Sequence, residues 1–564
     1  MERPVIQEVV DILIEAGIDH CFGIPGGAAL LLYDALFDKK DKIRSVLTRH
    51  EGAAACMADM YGRLTGRPGV VIAQGAWAAS NAAFGILEAY MAGSPMLIIT
   101  DVSDYSGLVQ HGPWQSGSGE YGSFDLPNIM RSMTKYTTYA AGADEFAHGI
   151  QLAIKHATTG RPGPACVLAR WDAFGETIDP DTSNPRLYPI DGYIGTRPPC
   201  ISDKDADRIA KMLVEAKDPV MITGRGIHCA RAYEEVRELA ELIGMPVATS
   251  YMGKSGIAET HPLALGTMGQ IGQKAANEKI QGADLLLAVG TCLAPENTKM
   301  LSPDFINPKQ QKIIHMDIEG LNTGWTVPVT LGITSDAKLG LRRIIESIKR
   351  RSVDIDVNKR VETVKRLKDE TGFFSCGAFS SDETPIAPER TIKEVNEAVG
   401  EDGIICLDAG NNRQWVAKHF QTKKAGQLFA PGGVGGVGWG VAAALGAQIV
   451  QPDKNVVGIC GDGGMMMMLH CLETARHYNV PITYVVLNNS ILGNVRDFQA
   501  PEKKISTDYP APDLTAYARA AGCEGVKIDN PDRLKPALKK AMKSNKPTLV
   551  EVITNQEPHF KLMI

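Results

Sequence analysis

Residues 455–489 read NVVGICGDGGMMMMLHCLETARHYNVPITYVVLNN. Two short apolar runs, Asn455–Cys460 and Ile482–Leu487, have the length and β-branched content of buried strands, and a helical stretch from about Met465 to His477 separates them. Such a strand–helix–strand unit makes two neighbouring parallel strands. The first run stops at Gly461-Asp462-Gly463; after 24 further residues the second stops at Asn488-Asn489. Both stops fall at the carboxyl ends of the strands, the edge at which open α/β sheets bind ligands. A carboxylate and an amide oxygen are hard donors suited to Mg²⁺, which takes six oxygens and draws several from phosphates and water. Gly461, Gly463 and Gly464 let the backbone approach a phosphate, and the helix N-terminus behind them favours its charge. A GDG turn alone is more often a tight turn with an Asp cap. The paired asparagines at this spacing make a metal–phosphate site the better reading. Met465–Met468 read as core filler.

The same alternation of short apolar runs with amphipathic helices extends through most of the 564 residues. At ~150–200 residues per domain the chain has room for about three domains. Two irregular stretches, 174–200 (rich in Pro and Asp) and 350–390 (a charged helical segment, then SSDETPIAPER), read as linkers. They divide the chain into 1–175, 195–345 and 375–564. Lys plus Arg number 59 and Asp plus Glu 65, a net charge of −6 with no basic run, which excludes a nucleic-acid partner. No apolar run approaches the ~18–20 residues of a membrane span. The opening MERPVIQEVVDILIEAGIDH reads as an amphipathic helix, not a signal peptide. Eleven cysteines, from Cys21 to Cys523 and without a CxxC pair, fit unbridged thiols and a cytoplasmic location.

In the first block, strands are expected at Asp19–Gly23, Ser45–Leu47, Gly69–Ala73 and Met96–Ile99, with a helix over Ala28–Phe37. The strand at Ser45–Leu47 runs into Thr48-Arg49-His50-Glu51 and then an Ala-rich helix. Glu51 reads either as a helix N-terminal charge or as a functional acid. In the last block, Gly403–Leu407 is a strand leading into DAGNN. Downstream, Gly432–Gly440 (GGVGGVGWG) has the look of a dinucleotide loop, although it follows no clear strand and a lone glycine string is weak.

Together FGIPGGA, RHEGAAACMADMYGRLTGRPGVVI, PGGVGGVGWGVAAALGA, GDGG…LNNSILGNV and the closing PHFKLMI resemble, in order and over the whole chain, the thiamine-diphosphate enzymes of the acetolactate synthase, pyruvate oxidase and 2-hydroxyacyl-CoA lyase superfamily. The resemblance implies three doubly wound parallel-sheet α/β domains: pyrimidine-binding, central and diphosphate-binding. It implies a homodimer or homotetramer with active sites between subunits, and thiamine diphosphate with Mg²⁺ as cofactors. On the family's pattern, Glu51 favours the imino tautomer of the aminopyrimidine by sharing a proton with N1′; Ala53–Ala55 and Met57 offer an apolar setting for it. Gly435 and Val437 meet the aminopyrimidine, and Val437 bends the cofactor into a V. Asp462, Asn489 and the Ile491 carbonyl hold Mg²⁺. Gly26, Asn411, Asn412, Gly461, Gly463, Gly464 and Leu492 complete the cofactor contacts.

The chain departs from acetolactate synthases on the substrate side. GSGEYGSF (117–124) lacks their Phe-Gln pair, Phe498 stands where they carry a selectivity tryptophan, and Gly75–Asn81 replaces their GPGATN loop. The central GTCLAPENT (290–298) lacks the arginine signature of flavin-binding relatives, which argues against FAD and leaves ADP or CoA as candidate nucleotides. Loop 103–125 offers His111, Gln115 and Tyr121 as hydrogen-bonding groups, and no Lys or Arg occurs from Val70 to Met130. Such donors suit a hydroxyl or developing alkoxide. The expectation is a lyase or carboligase acting beside the carbonyl of a 2-oxo acid or 2-hydroxyacyl compound, and not biosynthetic acetolactate synthase. A 2-hydroxyacyl-CoA lyase, with a short or absent lid over the CoA, and a pyruvate oxidase-type flavin oxidoreductase are the alternatives.

Overall fold

The computed structural model describes residues 1–105, 117–119, 122–352, 354–510 and 512–563. The three α/β domains implied by the sequence are present as three six-stranded parallel sheets. The first has the spatial order Arg44–Leu47, His20–Gly23, Gly69–Ile72, Met96–Asp101, Pro164–Ala169, Tyr136–Ala140. Gly69–Ile72, Met96–Asp101 and Pro164–Ala169 are buried at every residue. Their sequences are therefore mostly apolar, as in strands covered on both faces, with Thr100 and Asp101 closing the second. The third sheet runs Leu428–Phe429, Ile404–Leu407, Val456–Gly461, Thr483–Asn488, Thr548–Ile553, Glu524–Ile528. In both sheets the chain winds outward in opposite directions from the first and third strands, so the crevice for a ligand opens between those two.

The central sheet differs. Its order is Ala264–Thr267, Val247–Thr249, Pro219–Thr223, Leu285–Val289, Lys312–Asp317, Leu331–Thr334, the winding shared with many dinucleotide-binding sheets. Its switch point lies between Pro219–Thr223 and Leu285–Val289, and backbone closes it. Gly226 N–H donates to the Gly290 carbonyl at 2.9 Å, and a Cβ on Gly226 would sit 2.6 Å from Gly290 Cα.

The chain forms two compact units. Met1–Arg197, Pro431–Asp453 and Met468–Val480 make the first; Pro198–Ala430, Lys454–Met467 and Pro481–Ile564 make the second. Within the second unit a buried ion pair joins the central sheet's domain to the third. Lys254 Nζ donates to both Glu259 carboxylate oxygens at 2.7 and 2.8 Å, and Glu259 Oε2 accepts from Thr422 N at 2.8 Å and Oγ1 at 3.1 Å.

Some local expectations change. The helix expected over Met465–His477 is two helices, Asp462–Met467 and His470–His477, broken where the chain passes from one unit to the other. Met465, in the first helix, and Met468, in the turn after it, are buried, whereas Met466 and Met467 are exposed, so only half the methionine run fills core. Ala28–Phe37 is a 3₁₀ turn, Ala28–Leu31, followed by the helix Leu32–Asp38. The charged segment after 350 forms the helix Val357–Thr371 with only Val364 buried. All eleven cysteines are unbridged, and among the described residues no helix is long and apolar enough to cross a membrane.

Candidate active site

Three adjacent strand ends of the third sheet carry candidate residues of the second unit. Leu407 pairs with Ile459 and Gly461 with Leu487, so Asp462 and Asn489 follow neighbouring strands, as the spacing predicts, and Asn411 follows the strand across the switch point. Asp462 is 2% exposed, and Tyr509 donates its hydroxyl to Oδ2 at 2.9 Å. Burial pushes the Asp462 carboxyl above its ordinary pKa, against hydrogen bonds from Tyr509 and the amides of Gly463 and Ser490. The two asparagines divide their work. Asn488 Nδ2 donates to Glu551 at 2.6 Å and its Oδ1 accepts from Ser490 N at 3.1 Å, so it shapes the turn. Asn489 is the residue beyond the strand end, and its Oδ1 accepts from Ile491 N at 3.3 Å. Leu492, 37% exposed, lies 3.3 Å from where a Cβ on Gly463 would stand.

Gly410, at φ +98°, turns the chain into the helix Asn411–His419. Asn412 Nδ2 bonds back to the Asp408 carbonyl at 2.8 Å. Asn411 Nδ2 donates to Asp497 at 3.0 Å, while its buried Oδ1 has no hydrogen-bond partner among the described residues. An acceptor left unsatisfied beside a buried carboxylate costs free energy unless a cation or a ligand donor reaches it. No group of three or more His, Cys, Asp or Glu suited to a metal occurs among the described residues. One carboxylate with amide and carbonyl oxygens remains, a donor set that fits an octahedral ion sharing its coordination with phosphate.

The first unit carries the other group. Glu51 opens the helix Glu51–Thr65 and is 8% exposed. His50 caps that helix by accepting from Gly52 N at 3.0 Å, and Asn81 Nδ2 donates to Glu51 Oε2 at 2.9 Å. Asn81 belongs to the Gly75–Asn81 departure, so this segment touches the candidate acid and does not lie only on the substrate side. The glycine string is not a vacant phosphate loop, which corrects its reading as a dinucleotide loop: the N–H groups of Gly432–Gly435 point to the Glu88 carboxylate at 2.8–3.1 Å. Gly435, at φ +68°, has nothing within 4 Å of where a Cβ would stand, and Val437 is 36% exposed.

His111, Gln115 and Tyr121 lie outside the described residues. Several contributors left no mark in the sequence reading. Asp497 Oδ2 accepts from His559 N at 3.0 Å and pairs with His559 Nδ1 at 2.6 Å, tying the closing PHFKLMI to the segment after Asn489. Asp101, at the end of its strand, accepts from Ala28 N at 3.4 Å, Gly75 N at 3.3 Å and Ser103 Oγ at 3.2 Å. Burial raises its carboxyl pKa, and it fastens the two turns that contain Gly26 and Gly75. Tyr509 and Glu551 support Asp462 and Asn488 from distant segments.

The description "Thiamine pyrophosphate enzyme, N-terminal TPP binding domain" matches residues 4–117, the family's central domain matches 206–344, and its C-terminal TPP binding domain matches 408–552. The chain is 32% identical to the "Probable acetolactate synthase large subunit" of Methanocaldococcus jannaschii over 97% of this chain and 91% of that protein. It is 31% identical to the acetolactate synthase large subunit of Lactococcus lactis, covering 100% of this chain and 95% of the relative. The corresponding protein of Corynebacterium glutamicum is 31% identical over 99% of this chain and 88% of its own length. The chain belongs to the thiamine pyrophosphate-dependent enzymes, in the family of the acetolactate synthase large subunit.

Proposed function

We propose that this enzyme makes or breaks a carbon–carbon bond beside the carbonyl of a 2-oxo acid or 2-hydroxyacyl compound. Asp462, Asn489 and the Ile491 carbonyl hold Mg²⁺, and Asn411, Asn412 and the turn Gly461–Gly464 receive the diphosphate. When bound, thiamine diphosphate supplies a nucleophilic carbon and a sink for the electron pair of the cleaved or formed bond. Glu51 holds a proton at N1′ of the aminopyrimidine, Gly435 and Val437 orient that ring with Gly26 nearby, and Leu492 contacts the cofactor. Subunits associate as a homodimer or homotetramer in which sites are completed across the interface. The observation that carries this reading is the buried Glu51 carboxyl at a helix start, with Asn81 donating to one of its oxygens.

Substrate choice follows from what faces the reacting carbonyl. The stretch Val70–Met130 has no cation to hold a carboxylate by charge, and Phe498 is 69% exposed beside Arg496. His111, Gln115 and Tyr121 supply hydrogen bonds to a hydroxyl or developing alkoxide. Pyruvate is therefore a poor donor–acceptor pair, and a bulkier or less acidic 2-oxo or 2-hydroxy compound, CoA thioesters included, is preferred. Without the arginine signature, the central domain holds no flavin. A second reading, acetolactate formation, is favoured by the names of the full-length relatives. The test is mass-spectrometric trapping of covalent cofactor adducts from pyruvate, larger 2-oxo acids and 2-hydroxyacyl-CoAs. Adducts and turnover concentrated on the larger compounds are expected; efficient acetolactate synthesis from pyruvate replaces the first reading with the second.

A further inference from the structure

Glu88 lies on the helix Ala83–Ala92 and is 1% exposed. Its Oε1 accepts from Gly432 N at 3.1 Å and Gly433 N at 3.0 Å; its Oε2 accepts from Val434 N at 2.8 Å and Gly435 N at 3.1 Å. Arg63 Nη2 donates to Oε1 at 2.9 Å and pairs with Asp59 at 2.8 Å. The guanidinium lies 4.4 Å from the centre of the Trp439 ring, whose Nε1 donates to Asp59 at 2.8 Å. Four successive N–H groups turned to one side form an anion nest, the arrangement with which glycine loops hold phosphate. Here a carboxylate of the same chain occupies it.

The loop's inner face has room only for glycine. A Cβ on Gly433 would stand 2.8 Å from the Glu88 carbonyl, and one on Gly436 2.0 Å from the Phe84 ring. The outer face is open at Gly435 and Val437. Burial alone would raise the Glu88 carboxyl, yet Arg63 and the amides of Gly433 and Val434 hold it below its ordinary pKa. Burying an ion pair brings little net stability, and an apolar side chain at this position would strand four amides. The arrangement is thus explained by the loop shape it enforces.

We infer that Glu88, held by Arg63, is a positioning residue that sets the 432–437 loop in the form presenting Gly435 and Val437 to the aminopyrimidine. The inference rests on the cofactor contacts proposed above. Glu88→Gln keeps the size but turns an NH₂ group toward two of the amides. Gly433→Ala displaces the loop without altering the carboxylate. Calorimetric titration of thiamine diphosphate with Mg²⁺ into the cofactor-stripped full-length protein should show both variants binding roughly ten- to hundredfold more weakly. The KM for substrate at saturating cofactor should stay at the wild-type value. Unchanged cofactor affinity in a folded Glu88→Gln chain whose thermal midpoint has dropped would overturn the inference and leave Glu88 a structural acid. Asp462→Ala serves as the control: if it binds thiamine diphosphate like the wild type, the cofactor reading itself is wrong. Hydrogen exchange on the cofactor-free wild type needs no variant. Protected amides at Gly432–Gly435 are expected, and rapid exchange there would also overturn the inference.

Discussion

Glu51 is buried at the start of its helix and accepts from Asn81; the proposed function has it share a proton with N1′ of the aminopyrimidine. Glu51→Gln preserves the shape and the contact with Asn81 but has no proton to share. General acid–base help is worth ~10²–10⁴ in rate. Deuterium exchange at the thiazolium C2 should slow by that order while calorimetry shows the cofactor still bound; exchange at the wild-type rate would return Glu51 to the role of a helix-end charge.

The helix Asn411–His419 links a candidate site to a buried pH-sensitive group. It opens on Asn411 at the sheet edge and closes on His419, which stacks on Trp415 at 6.1 Å and meets Phe379 at 5.5 Å. His419 Nε2 is buried without a hydrogen-bond partner among the described residues. Burial first, then the charges of Lys418, Lys561 and Lys254, push its pKa down to about 3 from 6.5. The folded state keeps this ring neutral, while the unfolded chain protonates it near its ordinary value. Its contribution is therefore fully present above pH 6.5 and is lost as the pH falls from 6.5 toward about 3, at ~1.4 kcal/mol per pH unit. Urea unfolding at two pH values inside that window should show a loss of stability that His419→Phe reduces. An equal loss in both proteins would remove His419 as its source.

At the scale of the molecule, the second unit is held across its two sheets by Lys254, Glu259 and Thr422. Both charged side chains are fully buried. Breaking such a pair strands the remaining charge, at a cost of ~3–5 kcal/mol, whereas replacing both partners by apolar residues of similar volume is often neutral. Glu259→Gln should thus lower the denaturation midpoint sharply, and Lys254→Met with Glu259→Leu should recover most of it. A single variant as stable as the wild type would show that Thr422 and the packing carry the junction alone.

The sequence alone determined the three-sheet architecture and brought the candidate residues Asp462 and Asn489 to one edge of the third sheet. Apolar runs, helical periods and the interval from Asp462 to Asn489 are local signals, because a crossover helix must return the chain to the neighbouring strand. The same signals did not tell Asn488, which shapes the turn, from Asn489, and they joined two helices into one. Tertiary structure alone decided which side chains contact the candidate residues. Glu88 reads as one acid in an apolar helix, and its partners are backbone N–H groups 344 to 347 residues away, which carry no side-chain signature. Asn81 on Glu51, Tyr509 on Asp462 and His559 on Asp497 are likewise chosen by which faces pack together. Periodicity encodes the direction of a face, but the identity of the group opposite it is settled only when burial removes water from both and leaves each polar atom to find a partner within the fold.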